Sequence, residues 1–511
     1  MSFSILFAEH AGNLRREIRE EPAFFRDLNL DQIVEAITAG KQEYDLKPFF
    51  YIALPDEEAV QYRQEVMQEL GNQTLLLAAI RSFADNMRAI RSYLGSVEKL
   101  YYHYHKAGWF LEAVDRYCAA VTRLVEDLNA AGLRSRGFLA FREYVTAYAR
   151  AGEFRALVAE TRELKDELTA IRYCLLIKDG AIKVRQYEAE TDYSVDVEET
   201  FAKFKQGVVQ DYKAKFASEM GMNHMEAQIL DCVAQLYPDS FARLDTFCAK
   251  YSRFPDETLV MFDREVQFYM AYLEHTDKLK QAGLRFCYPL LSATCKEIYD
   301  YDGFDLALAA QLVGRKEAVV CNDFHLQGRE RIIVVTGPNQ GGKTTFARTF
   351  GQLHYLAGLG CPVPGRQAKL FLYDRLFTHF EKEEDINNLR SKLQDDLVRI
   401  HDILDRATAN SIIIMNEIFT STTLNDAVLL GRKIMQRIME LDLLCVCVTF
   451  IDELAVLSEQ TVSMVSTVVP DDPARRTYRI VRRPADGLAH AISIAEKYRL
   501  TYRLLKERIP S

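Results

Sequence analysis

Gly337-Pro338-Asn339-Gln340-Gly341-Gly342-Lys343-Thr344 gathers three glycines, one ammonium and one hydroxyl into a single short stretch. Glycines let backbone N–H groups approach the oxygens of an anion, and a helix starting at such a loop adds a favourable dipole. The spacing fits G-x-x-x-x-G-K-[ST], whose chemistry is the cradling of a nucleoside triphosphate. Lys343 is placed to neutralise β- and γ-phosphates, Thr344 to offer its hydroxyl to Mg²⁺, and Thr345 continues the same run. A second group follows the apolar run Ser411-Ile412-Ile413-Ile414-Met415, which delivers Asn416 and Glu417 at its C-terminal end. Carboxylates in that place hold Mg²⁺ through water and polarise an attacking water. Here the first of the pair is an amide. Asn416 can accept a hydrogen bond from a metal-bound water but brings no charge, which leaves Glu417 to meet Mg²⁺ through water and to act as general base.

These side chains need a rigid frame. Arg331 to Val335, Ser411 to Met415 and Leu443 to Val448 are short apolar runs separated by helical stretches. That alternation, beginning after Tyr301, predicts an α/β domain over 301–511: a mostly parallel sheet flanked by helices. Residues 1–300 read as mainly α-helical. Leu111, Val114, Cys118, Val121, Val125 and Leu128 recur at three- and four-residue steps, as a buried helix stripe requires. A longer stripe runs through Phe201, Phe204, Val208, Tyr212 and Phe216, then Met222, Met225, Ile229, Val233 and Leu236. Tyr173 to Tyr187, with Asp179-Gly180 at its middle, reads instead as a β-hairpin.

Composition narrows the function classes. The 511 residues are 49% hydrophobic and 27% charged, with a net charge of −9 and pI near 5.7. An acidic chain makes no general electrostatic case for nucleic acid, so any such contact must be local or made by an assembly. No apolar run reaches the ~18 residues of a bilayer span, which points to a cytoplasmic protein with no membrane partner. The ten cysteines are scattered, and the one close pair, Cys445 and Cys447, shares a strand face without a neighbouring histidine. They read as buried free thiols. His103 and His105, two apart on a helix, face different directions and make no metal pair.

The string Thr336 to Thr345 resembles the phosphate loop of the MutS family of DNA mismatch repair ATPases. Gly360-Cys361-Pro362-Val363-Pro364-Gly365, Asp374 to Phe380, Asn322-Asp323, Thr422-Thr423 with Asp426, and Asp486 to Ala491 are similar to further segments of that family. The resemblance covers about Asn322 to Arg499 and implies an ABC-type P-loop ATPase domain, with a helical core and lever domain ahead of it. It implies ATP and Mg²⁺ as cofactors, a homodimer and DNA as partner. It also gives Ser391 the role of the signature serine, which reaches the nucleotide of the opposite subunit. The family's wedge residues have only a short match at Phe7-Ala8-Glu9, and a mismatch-reading or nuclease domain is not expected. Three departures stand out. Asn416 replaces the family's aspartate, Thr449-Phe450 replaces its Thr-His switch, and Leu389 replaces the glycine before the signature. Dimer closure on ATP, coupled to helical levers, is therefore the leading expectation. The alternatives are a slow or inactive nucleotide-gated clamp or scaffold, and an ATPase acting on RNA or ribosomes through Lys178, Lys183 and Arg185 on the hairpin.

Overall fold

A computed structural model describes residues 3–8, 18–189, 221–381, 392–469, 472–485 and 500–506. The chain divides into two compact units, one of Met1–Asn72, Ser135–Phe138 and Arg264–Ser511, the other of Gln73–Arg134 and Leu139–Asp263. The unit carrying the phosphate loop thus takes in segments from both sides of residue 300.

That unit is built on a six-stranded sheet in the order Leu376–Phe380, Ile412–Asn416, Leu444–Val448, Ile332–Thr336, Thr461–Val469, Asp472–Arg482. The first five strands are parallel and the last is antiparallel to its neighbour. The central strands read as unbroken apolar runs because both of their faces are covered; every residue from Ile332 to Thr336, Ile412 to Asn416 and Leu444 to Val448 is buried. Ile413, Met415, Cys445 and Cys447 turn to one face, where they join Ile400, Met435 and Ile438 of the helices Lys392–Arg406 and Leu424–Leu441. Each isoleucine or methionine there contributes roughly 1.5–3 kcal/mol by leaving water. Ile414 turns to the other face, against the helix Lys343–Gly358. Gly351 makes that approach possible, since a Cβ there would lie 2.7 Å from methyl groups of both Ile414 and Leu28.

Strands begin earlier than Tyr301. A second, four-stranded sheet orders Leu290–Ser292, Gln367–Phe371, Ile298–Gly303 and Asn322–Leu326. The chain start also packs into this unit. Ser4 Oγ donates to Glu265 Oε2 at 2.8 Å, Ile5 N to the same oxygen at 2.9 Å, and Tyr269 OH to Ile5 O at 2.7 Å. Phe7 is 6% exposed, and the buried Arg63 guanidinium lies 5.0 Å from its ring centroid. A ring held this way is core and cannot serve as a wedge between base steps.

The other unit is helical, with Thr74–Val97, His103–Ala130, Gly152–Ala170, His224–Leu236 and Pro238–Lys250. Leu111, Val114, Cys118, Val121 and Leu128 are buried, and Phe141 stacks on Phe262. His103 Nε2 bonds Asp245, and His105 Nε2 accepts from Trp109 Nε1 at 3.0 Å. The hairpin pairs Tyr173–Lys178 with Ala181–Gln186 around Asp179 and Gly180, both at positive φ. The second stripe differs from its reading. Phe201 to Phe216 lie outside the described residues, and Met225 is exposed. The helix His224–Leu236 buries Val233 as expected, leaves Ile229 and Leu236 half-buried, like Met222 ahead of it, and adds Ala227 and Ala234 to its buried face.

Candidate active site

The sheet register brings Phe380, Asn416, Val448 and Val335 level. The residues that follow them (Glu381, Glu417, Thr449 and Thr336) therefore leave the sheet side by side. Ligands of open parallel sheets bind at this end of the strands.

The loop after Thr336 is folded tightly. Gly337 and Gly342 sit at φ 115° and 89°, Gln340 at 58°. Gly341 has no room for a side chain, because a Cβ would come 2.2 Å from Ser466 Oγ and 2.9 Å from Pro338 O. Ser466 Oγ donates to Gly341 O at 2.7 Å and fastens the loop to the strand Thr461–Val469. No side chain caps the helix Lys343–Gly358, which leaves its first amides without a side-chain acceptor at the loop.

Lys343 is 4% exposed. Its ammonium donates to Gly337 O at 2.9 Å and Pro338 O at 3.2 Å, and lies 4.3 Å from the ring centroid of Phe450. Burial holds its pKa below the usual lysine value; Glu417 opposes that shift and Arg476 adds to it. Thr344 Oγ1 donates to Asn416 Oδ1 at 2.9 Å, so the two predicted metal-side residues already face one another. Glu417, half-buried at φ 56°, is anchored by its own N–H to Val448 O at 2.9 Å. Thr449 is buried and its hydroxyl accepts from Ile451 N at 3.1 Å, while Phe450 is 48% exposed beside the loop.

Three residues of this site have no motif in the sequence. Ser466 is one. Arg476 Nε donates to Asn339 O at 3.1 Å, and Tyr478, at φ 58° and 52% exposed, lies beside Gly342. Both arrive on the antiparallel edge strand Asp472–Arg482. Asn322 ties that strand down, donating from Nδ2 to Tyr478 O at 3.2 Å and accepting from Ile480 N at 2.7 Å. The basic run Arg475-Arg476 is the one signal the sequence offered.

The remaining segments have local tasks. Asp374 accepts from Thr408 and Ser411 where the strands Leu376–Phe380 and Ile412–Asn416 begin. Thr423 caps the helix Leu424–Leu441, accepting from Asp426 N at 3.3 Å and donating to its carboxylate at 2.8 Å. Ser391 and Asp486 to Ala491 lie outside the described residues.

A glycine cradle, an uncapped helix start and an ammonium make a seat for a polyphosphate. The hard oxygens of Thr344 and Asn416 suit Mg²⁺, which keeps waters between itself and most protein ligands. Comparisons with known proteins agree with this chemistry. The MutS domain V family matches residues 333–500. Endonuclease MutS2 of Thermomicrobium roseum is 32% identical over 190 residues, which is 36% of this chain and 24% of that protein. DNA mismatch repair protein MutS of Orientia tsutsugamushi is 28% identical over 200 residues, 38% of this chain and 22% of that protein. The matched stretch is thus about a quarter of either relative's own length.

Proposed function

Because the chain belongs to the MutS family through its ATPase domain, we infer that it binds and hydrolyses ATP at the 337–345 loop as a homodimer. Closure of the two ATPase domains would move helical levers on DNA. The observation that carries this reading is the convergence of Lys343, the Thr344–Asn416 pair and Glu417 at one set of strand ends. The loop amides and Lys343 hold the β- and γ-phosphates. Thr344 would hold Mg²⁺ directly and Asn416 through water; when bound, the ion supplies charge neutralisation to the phosphates. Glu417 accepts a proton from the attacking water, and its backbone bond to Val448 fixes where the carboxylate starts. Ser391 of the second copy completes the γ-phosphate contacts.

A second reading is favoured by two specific residues. Asn416 lacks the charge of a carboxylate, and Phe450 has neither donor nor acceptor at the switch position. Both slow hydrolysis while leaving the glycine cradle and Lys343 in place, which suits a nucleotide-gated clamp. Steady-state phosphate release decides between them. Turnover abolished by Glu417→Gln supports the enzyme, whereas tight ATP binding with no turnover in the unaltered protein supports the clamp. The polyanion is read by salt titration on duplex DNA and RNA, where phosphate neutralisation gives a steep slope. Lys178, Lys183 and Arg185 are the hairpin cations to replace, being in register with Ala181, Leu176 and Cys174 on one face.

A further inference from the structure

The strand Leu376–Phe380 forms an open edge of the sheet, since no strand among the described residues pairs with its outer side. Its ladder to the neighbouring strand uses Arg375, Phe377 and His379, as Ile412 N donating to Arg375 O at 2.9 Å requires. Alternation then turns the backbone N–H and C=O of Leu376 and Thr378 outward. Phe380 O points the same way and meets the Arg399 guanidinium at 3.3 Å.

A cleft of about 750 Å³ runs along this edge. On one side stands the turn at Pro22–Asp27, joined to the strand where Thr378 Oγ1 donates to Asp27 Oδ2 at 2.5 Å. On the other stands the helix Lys392–Arg406, presenting Arg399, Ile403 and Arg406. An edge strand as floor with a helix as wall is the geometry that receives an added strand.

The charges select what is added. Arg375, Arg399 and Arg406 have no carboxylate within ion-pair distance among the described residues. Arg375 donates to Arg406 O at 2.7 Å, and the Arg406 guanidinium lies over the Phe377 ring at 5.4 Å. Two of the cleft's acids are engaged by hydroxyls, Asp27 by Thr378 and Asp374 by Thr408 and Ser411. Asp402, with His401 at 3.9 Å, is exposed.

We propose that this cleft binds an extended acidic peptide, which adds to the sheet as a seventh strand beside Leu376–Phe380. The edge is about 17 Å long, enough for four to five peptide residues. A nucleic-acid backbone would satisfy the arginines but leave the outward amides of Leu376 and Thr378 without partners.

The test is fluorescence anisotropy on the full chain with three labelled decapeptides: alternating Glu-Val, alternating Lys-Val, and Glu-Val N-methylated at every amide. The Glu-Val probe should bind saturably, and the other two at least tenfold more weakly. Arg375→Glu combined with Arg406→Glu should reverse the preference between Glu-Val and Lys-Val. The proposal is overturned if Glu-Val does not saturate by millimolar concentration, or if Lys-Val or the methylated peptide binds equally well. Displacement of the peptide by a single-stranded decanucleotide that itself binds more tightly would also overturn it. The peptide-side controls decide the matter even where the double variant does not fold.

Discussion

A buried ammonium has few partners, and Lys343 divides its charge among Gly337 O, Pro338 O and the face of Phe450. A triphosphate competes with all three for the same group. Replacing Phe450 with alanine removes one competitor while leaving the glycine cradle in place. Ammonium–ring attraction amounts to about 0.5–2 kcal/mol, and a ring that is 48% exposed belongs at the lower end, about 0.5–1 kcal/mol. Loss of that much competition tightens ATP binding by about two- to fivefold. Titration of a fluorescent ATP analogue against wild type, Phe450→Ala and Phe450→Leu reads the effect. Leucine keeps apolar bulk without a π-face, so it should follow alanine. Unchanged affinity, or affinity weakened in both variants, would refute the reasoning. The ring would then be supporting the nucleotide rather than competing with it.

Other outcomes follow from neighbouring contacts. Asn416→Asp keeps an acceptor for the Thr344 hydroxyl and adds a charge, so half-saturating Mg²⁺ should fall and turnover rise; a metal titration of phosphate release checks it. Gly341→Ala drives a Cβ into Pro338 O and Ser466 Oγ, and overpacking of this kind costs about 1–3 kcal/mol. Thermal unfolding should register that loss, with ATP affinity falling at least tenfold. His275 and His354 each have a buried Nε2 without a partner, and burial lowers both pKa values from 6.5 to about 4. The unfolded chain therefore takes up protons that the folded chain refuses. Stability is full above about pH 6.5 and falls as pH drops toward 4, by about 3 kcal/mol for each histidine. Melting temperature measured across that range should decline, and His275→Leu should remove a large part of the decline.

The parts of the site that were legible in the sequence are those whose physics is local. Parallel strands covered on both faces leave apolar runs, and those at 332, 412 and 444 begin within a residue of their expected starts. The loop's glycines and Asp179-Gly180 announce turns that other residues resist. What could not be read comes from distant pairings. Ser4 meets Glu265 across 261 residues, so nothing nearby signals that the chain start packs with the ATPase unit. Arg476 and Tyr478 reach the loop only because the last strand pairs antiparallel and Asn322 holds it. Phe450 was visible as a departure, but its seat over Lys343 depends on two strands brought together by the sheet. The exposed Met225 has a local cause that was available. Asn223 and Glu226 form a reciprocal capping box, which starts the helix there and sets its face.

ATP-driven action requires two copies closing over shared triphosphates, and sedimentation velocity of the Glu417→Gln protein tests this most directly. With saturating ATP and Mg²⁺ the sedimenting species should carry twice the mass of the chain. ADP, or the Lys343→Ala change, should return it to the single chain. A particle of one chain at every ATP concentration would contradict the account.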